Sequence, residues 1–155
     1  MQPWLRLTLI TMTVGGGFTG VAITLQSILN AHNQPPIQCL LIMGFLGLFA
    51  FVTVSGLLFV QNPQRIGPMI VALALQIPWV SSPLIAYKFA AGFQVCAARI
   101  GGRFFGGVSL GSDFQIAFFQ KLPWGGGINF FAMALLILLA GSVRTPNAAP
   151  TATSA

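Results

Sequence analysis

Apolar residues fall into long blocks separated by short polar turns, and in one stretch the pattern changes period. The blocks cover 4–30, 37–60, 66–91 and 124–143. About 20 apolar residues in helical form cross a hydrocarbon core, so each block predicts a membrane-spanning helix. The last block just suffices when counted from Trp124. The turns between the first three are AHNQPP over 31–36 and QNPQ over 61–64, where proline and polar side chains stop a helix.

Between Gly92 and Gly127 the period shortens. Phe114, Ile116 and Phe118 alternate with Asp113, Gln115 and Ala117, and Phe93, Val95 and Ala97 alternate less cleanly with Gln94 and Cys96. A two-residue period is that of a strand with one apolar face. The glycine pairs at 101–102 and 106–107 disfavour a continuous helix. This stretch therefore predicts a hairpin or small β-ribbon over 93–121 at the membrane surface, with Gly111-Ser112 as a suitable turn pair. An interfacial amphipathic helix and a re-entrant loop covered by protein are the alternatives. The whole reads as an all-α integral membrane protein. Four transmembrane helices run in up-down order, a Gly/Phe-rich β-hairpin-like insertion lies between helices 3 and 4, and a disordered tail occupies 144–155.

Composition points the same way. Of 155 residues, 55% are hydrophobic and only 5% charged, against about 25% charged in an ordinary soluble domain. The net charge of +6 does not indicate nucleic acid, because the basic residues are scattered and form no phosphate-tracking run. Partners are instead the lipid bilayer and either another membrane protein or further copies of the chain. The expected location is the inner (plasma) membrane of a prokaryote, crossed several times. Trp4 and Arg6 at the start of the first block anchor a span. That block is too long for the apolar core of a signal peptide and is followed by no small-residue cleavage site, so an uncleaved span is expected. Four spans place both termini on one side. The cations split almost evenly between the two sides, and Arg6 before the first helix tips the expectation to cytoplasmic termini.

Small residues set the expected packing. Gly16 and Gly20 share a helical face in the first block, and Gly44 and Gly47 supply small positions in the second. Threonines along the first helix suit either a polar pathway or a packing face; hydroxyls bonded to their own backbone favour packing. Pro78 and Pro83 within PWVSSP predict a kink or break in the third helix.

Candidate chemistry is sparse. Arg99, Arg103 and Lys121 in the central stretch are candidate contacts for an anion or lipid head group. Asp113 is the only acid, so no carboxylate pair supports general acid–base work; a salt link to Arg103 or Lys121 is expected. His32, alone in a turn, is a poor metal ligand. Cys39 and Cys96 match no metal or redox spacing, although a four-span arrangement permits them to pair. The glycines at 125–127 lack the GK[ST] of a phosphate loop. No catalytic residue, cofactor or metal site is expected, and the chain is not read as an enzyme. The leading functional expectation is an accessory, assembly or immunity-type membrane protein acting through helix packing and the 92–127 loop. The alternative is a small homo-oligomeric transporter or channel, which the lack of an acid within a span disfavours.

Overall fold

The computed structural model describes residues 1–30 and 35–143. His32, Arg144 and the 144–155 tail lie outside the described residues. The architecture is not all-α: beside the helices stands a six-stranded antiparallel sheet curled into a half-barrel.

The first helix runs as α1 (Pro3–Ile10), a π-helical turn (Thr11–Gly15) and α2 (Gly16–Leu29). Antiparallel to it lies α3 (Pro36–Gln61). Proline opens both α1 and α3, where its missing N–H costs nothing. Among the described residues these two are the helices long and apolar enough to cross a membrane: 27 residues over Pro3–Leu29 and 26 over Pro36–Gln61. At about 1.5 Å per residue each extends roughly 40 Å. The buried threonines along the first helix, Thr13 and Thr24, donate to Leu9 O and Gly20 O on their own helix, so their hydroxyls need no other partner.

The third apolar block is not a span. Its start forms the short helix α4 (Gly67–Ala74), and the remainder forms strands β1 (Pro78–Ser81) and β2 (Ile85–Ala90). Pro78 and Pro83 therefore kink no helix. Pro78 opens a strand, a position that tolerates proline, and Pro83 lies in the turn between the two strands. Side chains in β2 alternate: Tyr87 and Phe89 face the helices while Ala86, Lys88 and Ala90 face away. The fourth block is also divided, into β6 (Gly125–Asn129) and α5 (Phe130–Val143), whose 14 residues are too few to span alone.

The ribbon expected over 93–121 is one part of a larger sheet. Strands β3 (Phe93–Ile100), β4 (Arg103–Leu110) and β5 (Asp113–Phe118) complete the order β4-β3-β6-β1-β2-β5. Paired residue numbers add to one constant total from Ile85↔Phe118 through Ala90↔Asp113 and Phe93↔Leu110 to Ile100↔Arg103. Strands β2–β3 and β5–β4 are thus the two arms of one long hairpin, bent at Ala91-Gly92 and Gly111-Ser112. Its turn is Gly101-Gly102, not Gly111-Ser112. Both turn glycines have positive φ, 57° and 80°, as a two-residue type I′ turn requires. The bend brings β2 and β3 round so that β1 and β6 bridge them, and the two edge strands, β4 and β5, are consecutive in the chain.

Two apolar cores lie along the helix pair. In one, Leu5, Leu9 and Phe59 pack with Met69, Leu73, Leu135 and Leu139 of α4 and α5. In the other, Phe45, Phe49 and Val52 of α3 meet Phe89 and Ala91 of the sheet, with Tyr87 and Phe114 at its edge. The π turn sits between them, where the bend of the hairpin meets the first helix. The start of α1 and the end of α5 lie side by side.

Candidate functional site

The register sorts the sheet's side chains by polarity. Lys88, Gln94, Cys96, Ser109, Asp113 and Gln115 fall on one face, while the opposite face carries Val80, Ile85, Phe89, Phe93, Val95, Val108 and Leu110. Arg99 is the one charged side chain on the apolar face. A cleft of about 220 Å³ is bounded by Trp79 of β1, Lys88 of β2, Gln94 and Cys96 of β3, and Ser109 of β4. Strands from both halves of the sheet border it, so the sheet curls around its polar face.

Lys88, on the wall of this recess, places its Nζ 2.5 Å from Oδ2 of Asp113, which adjoins the recess without bounding it. The expected link from Asp113 to Arg103 or Lys121 is not made. Ala90 is paired with Asp113 and Lys88 with Gln115, so the two charged residues are diagonal neighbours on one face, within reach of a long side chain. The Lys88 side chain is 19% exposed and that of Asp113 46%. The ammonium also stands 4.9 Å from the centroid of the Trp79 ring, where the ring's negative face attracts a cation. Gln94 Nε2 donates to Ser109 Oγ, and Cys96 Sγ donates to Gln94 Oε1 at 3.3 Å. Burial pushes the Cys96 thiol above its ordinary range; Lys88 pulls it down and Asp113 pushes it up. The neutral thiol is therefore the resting form at pH 7.

Polar groups outside the recess tie the sheet to the helices. Gln76, just after α4, donates to Ala72 O and accepts from the Ala91 N–H, satisfying the backbone where the hairpin bends. Ser112 Oγ donates to Gly16 O, and Thr19 Oγ1 lies 2.8 Å from Ser112 Oγ. Asn129 Oδ1 accepts the N–H groups of Phe131 and Ala132 at the start of α5. Tyr87 donates to Leu75 O, and burial raises its phenol pKa.

No known protein family, characterised protein or solved structure matches this chain.

The three cations expected to contact an anion or head group lie toward one end of the sheet but not on one surface. Arg99 and Arg103 flank the hairpin turn on opposite faces, Arg99 with its guanidinium 5.4 Å from the Phe104 ring centroid. Lys121 lies in the segment that returns beside the turn, where Gly101 N donates to Trp124 O. Among the glycines expected at helix contacts, Gly16 lies against the Ala91–Gly92 backbone and Gly20 against the Phe49 ring, whereas Gly44 and Gly47 border open space. Both cysteines are free thiols. Among the described residues no three His, Cys, Asp or Glu side chains gather as a metal site. A wider groove of about 760 Å³ between the end of α2, the start of α3 and β5 is lined, among the described residues, by no charged side chain. The chemistry is concentrated in the smaller recess. Lys88 and Trp79 lie inside an apolar block; the alternation of Ile85, Tyr87 and Phe89 with Ala86, Lys88 and Ala90 is the signal that sets Lys88 on the other face, and no such signal marks Trp79.

Proposed function

We propose that this chain is a membrane-bound, non-enzymatic accessory protein. Its two long helices hold it in the bilayer, and its half-barrel offers a polar recess to the polar group of a membrane neighbour. The supporting observation is the sorting of the sheet: the only acid and its lysine lie on the face turned away from the helices, while the opposite face is apolar, packed on the helices at Tyr87 and Phe89 and exposed along β4. A recess of this kind holds a partly buried charge among neutral hydrogen-bonding groups, where it discriminates between partners more strongly than at a wet surface. The broad exposure of Leu7, Phe18, Leu40, Ile137 and Leu138 on the helices favours lipid as their surroundings. A homo-oligomeric channel has less support, because the buried hydroxyls of the long helices are bonded to their own backbones.

Alkaline extraction of native membranes, followed by photo-crosslinking from position 105 on the recess rim, tests this. The expected result is a chain retained in the membrane pellet and cross-linked to a discrete membrane component. Release into the alkaline supernatant contradicts the proposal.

A further inference from the structure

Among the described residues Lys88 is the one charged side chain bounding the recess, and Asp113 beside it balances that charge, which restricts what can enter. A simple anion binding to Lys88 would displace Asp113 and leave a carboxylate without its counter-charge. A simple cation binding to Asp113 would strand Lys88 in the same way. Removing the partner is costly chiefly on the lysine side, where the side chain is 19% exposed and the ammonium keeps its charge, and less so for the half-exposed carboxylate. A molecule carrying both charges avoids this, since it exchanges one ion pair for two. Trp79 adds a ring face that attracts an ammonium, as its contact with Lys88 shows, and that face is open to an incoming amine once Lys88 turns to the ligand's anionic group. The Gln94 and Ser109 side chains on the wall supply neutral hydrogen-bonding groups.

Size and surroundings narrow the ligand further. The recess, about 220 Å³, is smaller than the roughly 300–1,000 Å³ of pockets that enclose whole drug-sized molecules. It suits a head group rather than a complete amphiphile. On the apolar face of edge strand β4, Phe104, Val108 and Leu110 are 80%, 66% and 83% exposed, beside the open side of the half-barrel. Acyl chains can lie there while the head group turns inward.

We infer that the recess binds a zwitterionic phosphate–amine head group, with the phosphate on the Lys88 ammonium and the amine on the Asp113 carboxylate beside Trp79. The inference rests on the membrane-bound reading above. The same chemistry is available from phosphatidylethanolamine in the bilayer and from free glycerophosphoethanolamine in water, and the test separates the two.

The full-length protein with Trp4→Phe and Trp124→Phe, leaving Trp79 as the sole tryptophan, is reconstituted into phosphatidylglycerol nanodiscs. Trp79 fluorescence is followed while the phosphatidylethanolamine fraction is raised, and separately while glycerophosphoethanolamine is added. The expected result is a saturable change with the lipid. Both Lys88→Met and Asp113→Asn should weaken it about tenfold, the scale of one lost charge-assisted contact. The neutral pair Lys88→Met with Asp113→Leu serves as a folded control and should not respond. Saturation by the soluble compound at comparable affinity also supports the site and identifies the head group alone as sufficient. Binding that survives Asp113→Asn overturns the inference, because an anion site would then explain it. No response to either compound, with the protein folded in the nanodisc, also overturns it and leaves the membrane-bound reading standing. Failure to stay in the bilayer removes both.

Discussion

Gly16 and Gly92 meet backbone to backbone: a Cβ on Gly16 would overlap the peptide joining Ala91 to Gly92. This contact seats the bend of the long hairpin on the first helix just after its π turn. Ser112, on the other arm of the bend, donates to Gly16 O and ties the second arm to the same point. A π turn inserts one residue into a helix and disturbs its ladder of backbone bonds, and here the carbonyl beside it receives a partner from the sheet.

Alanine at Gly16 should therefore destabilise the protein by about 1–3 kcal/mol through overpacking. Alanine at Gly44 or Gly47, which border open space, should be neutral or stabilising by up to about 1 kcal/mol through helix propensity. Thermal unfolding in detergent, followed by circular dichroism, compares the three. Equal effects at positions 16 and 44 would contradict the docking of the bend.

The recess pair makes a second prediction. Asp113→Asn removes a charge-assisted contact from a mostly buried lysine and should cost about 1–2 kcal/mol. Lys88→Met should cost a similar amount. The double change to Met and Leu should recover most of the loss, because no charge is left unpartnered. Additive losses in the double variant would show that the two side chains do not interact.

Cys96 reports on the same pair. On a Cys39→Ser background, alkylation of Cys96 should rise with pH and reach half its maximum above the ordinary thiol range, because burial raises the pKa. Lys88 lowers that pKa, so Lys88→Met should slow labelling at a given pH. Asp113 raises it, so Asp113→Asn should speed labelling. Rates measured between pH 7 and 10 check both signs, and opposite shifts would place Cys96 elsewhere.

The hairpin turn can be tested by strain. Gly102 has a φ of 80°, which costs an L residue roughly 1–2 kcal/mol, so Gly102→Val should destabilise by about that much. Gly107 has no positive φ and no atom near its Cβ position, so Gly107→Val should be tolerated. Chemical denaturation of the purified variants separates the two.

The two long apolar blocks were legible because they are uninterrupted and nearly uncharged, which in a run of that length leaves little alternative to helix. The third block was not, since mean apolarity does not distinguish a buried strand from a helix. Its information lay in the alternation of Tyr87 and Phe89 with Ala86, Lys88 and Ala90, and in two prolines that a helix would have had to absorb. The fourth block misled for a related reason: its first residues pair as β6, leaving a helix too short to span. Strand character around Phe93–Ala97 and Phe114–Phe118 was visible as period two. The correct turn was not, because Gly101-Gly102 and Gly111-Ser112 are both good turn pairs and only the pairing of Tyr87 with Ile116 chooses between them. Lys88 and Asp113 lie 25 residues apart, and only that register brings them together.

The most direct test of this account is the distance between the Lys88 ζ-nitrogen and the Asp113 carboxylate, measured by solid-state NMR on labelled protein in lipid vesicles. The account predicts a direct ion pair, with N···O separation within about 4 Å. A separation well beyond that, as a helical 66–91 span would impose, would contradict the half-barrel and the recess with it.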